Sequence, residues 1–193
     1  MIDAGIQVGV VYPQIELGGE ADAVRAIGDA IEAQGYRHLV AYDHVLGAEQ
    51  ADRQPELTGP YDENDPFHDP FVLFAYLAGR SDTLEFASGV LILPQRQTAL
   101  VAKQAADLAV LSGNRLRLGV GVGWNWVEYE ALGEDFATRG QRANEQIELL
   151  RRYWTEPTVS FAGRFDRVAR AGIVPRPSVP PPVWVGGFGA ASL

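Results

Sequence analysis

Hydrophobic and polar positions change period along the chain in a repeating order. The run "IQVGVVYP" (6–13) is β-branched and ends in Pro13, the pattern of a buried strand followed by a loop. From 21 to 34 the apolar positions Val24, Ile27 and Ile31 return at helical spacing, preceded by Glu20 and Asp22 and followed by Gly35 as a stop. "YRHLVAYDH" (36–44) repeats the strand pattern. Residues 46–68 are polar, contain proline and exceed an ordinary connection, which predicts a functional loop. Asp69-Pro70 then opens an apolar helix as N-cap and first helical residue. A third strand over "LEFASGVLIL" (84–93) leads to an alanine-rich helix over 98–111, stopped at Gly113. "RLRLGVGVG" (115–123) is a fourth strand, and 139–154 a fourth long helix with Ala143, Ile147, Leu150 and Trp154 facing inward. The segment 155–182 departs from this rhythm: "TVSFAGRFDRV" reads as a hairpin around Gly163, and "VPRPSVPPP" as an extended connector. "VWVGG" (183–187) is a fifth strand.

Strands alternating with helices predict a parallel sheet with helical crossovers, hence an α/β fold, here one domain over residues 1–193. With 47% hydrophobic and 21% charged residues the chain can fill a single core. Its formal charge of -9, with Lys103 the only lysine and no cluster of basic residues, argues against nucleic acid as a partner. The absence of cysteine excludes disulfides, thiolate metal sites and cysteine nucleophiles. An acid near the N-terminus is unlike a signal peptide, and "ASGVLILP", about the longest apolar stretch, is too short to span a bilayer. The expectation is a soluble, cytoplasmic protein with no membrane contact.

In parallel α/β folds the chemistry gathers beyond the carboxyl ends of the strands. Those ends carry Tyr12 and Gln14, Asp43 and His44, Pro94 and Gln95, Gly121 to Asn125, and finally Gly186, Gly187, Phe188 and Gly189. His44 is the only histidine among them, and an imidazole suits proton transfer near neutral pH. The alternative is that Asp43-His44 caps its strand and anchors the long loop. His38 reads as a structural residue within its strand, and His68 as part of a helix entry. "GVGVGW" misses the dinucleotide-binding glycine spacing, because Trp124 or Trp126 falls where the third glycine belongs. "GGFGAAS" is closer to a phosphate-binding nest. Either stretch also fits tight packing and turns, but two at strand ends in one chain point to a planar, phosphate-bearing cofactor. Trp124 and Trp126 are then walls for that ligand or core between strand and helix, and the acids within 128–130 a solvated helix face. No metal site is expected, since three scattered histidines give no ligand spacing, and no serine sits in a nucleophile elbow.

Four stretches together resemble the luciferase-like monooxygenase superfamily, and within it the deazaflavin-dependent oxidoreductases. They are "YRHLVAYDHV", "ASGVLILPQRQTALVAKQAADLAVLSGNRLRLGVGVGW", "EYEALGEDFATRGQRANEQIELLRRYW" and "FDRVARAGIVPRPSVPPPVWVGGFG". The resemblance implies a (β/α)8 TIM-barrel type of fold, incomplete here at about five of eight units, that binds coenzyme F420 or, alternatively, FMN at its carboxyl face. It implies that Asp43 and His44 lie beside the cofactor ring, with His44 as the catalytic proton donor. It implies a non-prolyl cis peptide at Gly89-Val90 backing the ring, close approach of the cofactor at Gly121, Gly123 and Trp124, and phosphate binding at Gly186, Gly187, Phe188 and Gly189. The implied reaction is hydride transfer between a small organic substrate and the deazaflavin. An FMN- and oxygen-dependent monooxygenase is the alternative enzyme, and a barrel piece that only binds other proteins the non-enzymatic one. Trp124 stands where the family's sugar-phosphate dehydrogenases carry an acid, so their acid-base scheme does not carry over. The open edges and uncovered core of a five-strand sheet predict aggregation or pairing with another chain, the latter as a homodimer.

Overall fold

The computed structural model describes residues 6–187. In chain order its elements are β1 (Gly9–Val11), α1 (Ala21–Ala33), β2 (His38–Ala41), α2 (Pro70–Ala78), β3 (Glu85–Ser88) and β4 (Leu91–Ile92). There follow α3 (Thr98–Leu111), β5 (Leu116–Gly121), α4 (Trp126–Ala131), α5 (Arg139–Thr155), β6 (Val159–Ala162), β7 (Arg167–Ala171) and β8 (Val183–Val185). The expected helices form within a residue or so of their limits, and their signals act as read. Asp69 caps α2 by accepting hydrogen bonds from the amides of Phe71 (2.9 Å) and Val72 (3.1 Å).

β1 pairs with β2 and β2 with β3, both β3 and β4 run along β5, and β8 also pairs with β5; every pairing is parallel. Neighbouring strands therefore follow sequence order. With right-handed crossovers this places the helices on one side of the sheet, the arrangement of a (β/α) barrel, of which the described residues form five strands. β6 and β7 form the expected separate antiparallel hairpin.

One expected strand is interrupted. The run 84–93 forms β3, a bulge, β4 and a 3₁₀ turn over Leu93–Gln95. From Ala87 to Leu91 the chain takes four steps, whereas its neighbour takes three from Arg117 to Val120. The extra residue is absorbed at 88–90, where Gly89-Val90 is a cis peptide, as the resemblance implies.

The core lies between sheet and helices. Phe86, Leu116 and Leu118 meet Phe74 and Leu77 of α2 and Val101, Ala102 and Ala105 of α3 in one cluster, with the Phe74 and Phe86 rings 5.4 Å apart. Trp154 of α5 is buried, and its indole N–H donates to the Ala102 carbonyl at 3.0 Å, so the polar atom of the inward stripe is satisfied. Val11 in β1 and Trp184 and Val185 in β8 are about half exposed, as expected for strands with an open edge. No helix among the described residues is long and apolar enough to cross a membrane.

Candidate functional site

A cavity of about 670 Å³ opens at the carboxyl ends of the parallel strands. Its walls come from Tyr42, Asp43 and His44 after β2, Gly89, Val90 and Ile92 at the bulge, Gly121 to Trp124 at the end of β5, Gly186 and Gly187 after β8, and Tyr61 from the long loop. The site residues read from the sequence, Asp43, His44, Gly89, Val90, Gly121, Gly123, Trp124, Gly186 and Gly187, thus converge on one space although they arise from four separate strand ends. Phe188 and Gly189 lie outside the described residues.

His44 stands in an aromatic box. Its ring centroid is 4.7 Å from Phe67, 5.2 Å from Tyr61 and 5.8 Å from Trp124. The long loop supplies two of these rings, and Gln50 holds its turn by donating to the carbonyls of Tyr61 (2.8 Å) and Gly59 (3.2 Å). Trp124 is therefore a wall of the cavity. Trp126 instead packs beneath Arg53, whose guanidinium carbon is 5.9 Å from the Trp126 ring centroid.

Nδ1 of His44 lies 3.3 Å from Glu128 Oε2. Glu128 is 1% exposed, which corrects the expectation of a solvated face for the acids following Trp126. Only Glu130 of that group is exposed. The Asn125 side chain caps α4 by accepting from the amides of Val127 (3.1 Å) and Glu128 (3.4 Å). This N-cap followed three residues later by Glu is a readable helix start. The acid does not return to its own cap, however; its Oε1 accepts from the amides of Val45 (2.8 Å) and Leu46 (3.2 Å), and its Oε2 from Gln95 Nε2 at 3.3 Å. Burial opposes the charged form of Glu128, but the hydrogen bonds from His44, Leu46 and Val45 outweigh it and hold the carboxyl below the ordinary glutamate value.

Asp43 lines the cavity, but its carboxylate is engaged elsewhere. Oδ1 accepts from Arg96 Nη2 at 2.6 Å, and Oδ2 accepts from the Ile92 amide at 2.9 Å. The same Arg96 nitrogen is 2.8 Å from Asp69, the cap of α2. Burial pushes the Asp43 carboxyl up, and the charge and hydrogen bonds of Arg96 work against that rise. Asp43 thus fastens the bulge to β2, a role that sequence reading missed because Arg96 lies 53 positions away.

The alternating glycines of β5 answer to protein packing. A Cβ on Gly119 would lie 2.0 Å from the Ser88 carbonyl oxygen, one on Gly121 2.4 Å from Val90 Cγ2, and one on Gly123 2.9 Å from Ile92 Cγ2. A Cβ on Gly186 would lie 2.7 Å from Val90 Cγ1. Gly121 and Gly186 therefore form a socket for Val90, and all three residues also line the cavity. Tight packing, one of the two readings of those glycines, is met at each of these positions. The size of the cavity falls within the range of small-molecule and cofactor sites, and its aromatic and backbone-lined walls suit a flat ring.

Proteins of similar sequence and fold are known. An uncharacterised protein of Mycobacterium tuberculosis is 38% identical over 172 residues, covering 86% of this chain and 59% of that protein. The F420-dependent glucose-6-phosphate dehydrogenase of Segniliparus rotundus is 33% identical over 175 residues, covering 83% and 46%. The FMNH2-dependent dimethylsulfone monooxygenase of Pseudomonas fluorescens is 29% identical over 160 residues, covering 81% and 43%. The chain thus spans about half the length of these relatives. Among solved structures, an F420-dependent secondary alcohol dehydrogenase in complex with an F420-acetone adduct superposes with a TM-score of 0.75 at 19% identity, over 96% of this chain and 53% of that one. The sequence profile described as luciferase-like monooxygenase matches residues 4–193, essentially the whole chain, and this chain belongs to the luciferase-like monooxygenase family.

Proposed function

We propose that this chain carries the cofactor- and proton-handling part of an oxidoreductase that transfers a hydride between a small organic substrate and a deazaflavin, coenzyme F420. The observation that carries this reading is the position of His44. Its ring lines the cavity, its Nδ1 is engaged by Glu128, and its Nε2 has no hydrogen-bond partner among the described residues. A cofactor held there would supply the hydride-accepting or hydride-donating carbon. The chain's own residues do the rest. The bulge at Gly89-Val90 and the backbone after β8 form a floor, Tyr61 and Trp124 exclude water from the side, and His44 exchanges a proton with the substrate oxygen. Relatives that use F420 support the reading, and an FMNH2-dependent relative supports the alternative, a flavin- and oxygen-dependent monooxygenase.

Titration of the purified protein with coenzyme F420 and, separately, with FMN, followed by cofactor fluorescence, tests both. Micromolar binding of F420 alone, weakened by Gly187→Val, is the expected result. Binding of FMN alone would replace the first reading with the second. Binding of neither by folded protein would overturn both for this chain.

A further inference from the structure

A neutral imidazole carries one N–H, and the partner of one ring nitrogen decides which nitrogen keeps the proton. Around Glu128 every neighbour is a donor. Its Oε1 faces two backbone amides, Val45 and Leu46, that can only donate, and its Oε2 faces Gln95 Nε2 and His44 Nδ1. A carboxylate so placed is an acceptor only. We infer that Glu128 is a positioning residue that locks His44 as the Nδ1–H tautomer and presents Nε2 to the cavity as a bare lone pair. Resting on the reading of His44 as the proton-handling group, this gives the reaction a polarity. In the neutral enzyme His44 takes a proton from a substrate hydroxyl, and it returns that proton in the reverse direction. The carboxylate also stabilises the imidazolium that forms, without taking the proton itself.

The alternative role for Glu128 is to anchor the start of the long loop through the two amides. Glu128→Gln separates the two roles. The amides of Val45 and Leu46 can accept nothing, so the Gln oxygen must take the place of Oε1 and its NH₂ the place of Oε2, against His44 Nδ1. Gln95, whose own Oε1 is buried and unpartnered among the described residues, can turn to receive that NH₂. Facing a donor, Nδ1 must become the acceptor and the imidazole proton must move to Nε2. A purely anchoring role predicts no such change.

The chain has only three histidines, so two-bond ¹H–¹⁵N correlation spectra of ¹⁵N-histidine-labelled full chain, with His44→Asn for assignment, read the tautomer directly at alkaline pH. The expected result is a pyrrole-type Nδ1 and a pyridine-type Nε2 in the wild-type protein, exchanged in Glu128→Gln, with the His38 signals unmoved. Turnover should fall by about 10²-fold or more with cofactor affinity unchanged. An Nε2–H tautomer in the wild-type protein, or an unaltered tautomer in folded Glu128→Gln, would overturn the inference. If Glu128→Gln does not fold, the wild-type spectrum still decides. Because the spectra need no cofactor, a failure of the F420 titration leaves this result standing, and the two readings fail separately.

Discussion

The side chain of Val90 occupies the space that a Cβ on Gly121 would need, with its Cγ2 2.4 Å from that position. Its other methyl, Cγ1, presses toward Gly186 in the same way, at 2.7 Å. Two glycines from different strand ends thus seat one residue of the bulge, and the cavity inherits its floor from that fit.

Gly121→Ala should therefore destabilise the fold by about 1–3 kcal/mol, the usual cost of forcing a methyl group into a packed site. Shortening the opposing residue should relieve it. In urea unfolding, Val90→Ala combined with Gly121→Ala is expected to lose less than the sum of the single changes. Strict additivity would show that the two residues do not compete for the same space.

Removing the cation that faces Asp43 should be severe. Arg96→Met leaves a buried carboxylate without its partner and frees Asp69 as well, a change that costs about 3–5 kcal/mol in comparable buried pairs. Asp43→Asn in the same chain should recover part of the loss, because no uncompensated charge then remains. An unfolding midpoint of Arg96→Met equal to that of the wild-type protein would contradict the assignment.

Acid should weaken the protein through two glutamates. Hydrogen bonds hold Glu128 below the ordinary value of 4.5, and the amides of Asp166, Phe165 and Arg164 do the same for Glu145 against the opposing effect of burial. Between the lowered folded-state values and 4.5 the unfolded chain binds more protons than the folded one. Their stabilisation is thus complete above 4.5 and is lost as pH falls through the folded-state values. Unfolding midpoints measured from neutral pH into acid should fall in the wild-type protein, and the fall should be shallower when both glutamates are replaced by Gln.

Trp124 and Gly59 are packed so closely that a Cβ on the glycine would lie 2.1 Å from the indole ring. Gly59→Ala must displace either the ring or the loop that carries Tyr61. We expect a shifted tryptophan emission and a loss of about 1–3 kcal/mol, both largely absent when Trp124 is already Phe. An equal loss in the two backgrounds would place the effect in the loop alone.

Much of this architecture is legible in local chemistry. Val24 and Ile31 at helical spacing, Asp69-Pro70 at the start of α2 and Gly113 at the end of α3 act where they stand, because caps and periodic faces need only near neighbours. His44 was also legible, since strand ends in a parallel sheet point to one face whatever the strands' partners. Glu128 was not. Its first-turn position beside a good N-cap is what a solvated helix start also shows, and the two amides it binds lie 82 to 83 positions earlier.

The sequence by itself determined the alternation of strands and helices, the parallel sheet and the face on which a site would gather, because periodicity and capping are properties of short segments. Only the tertiary structure decided what the glycines of β5 make room for, which carboxylate stands behind His44, and why Asp43 is occupied. Those outcomes depend on residues brought together across strands, where a missing Cβ or a buried acid gains its meaning from whichever atom arrives opposite it.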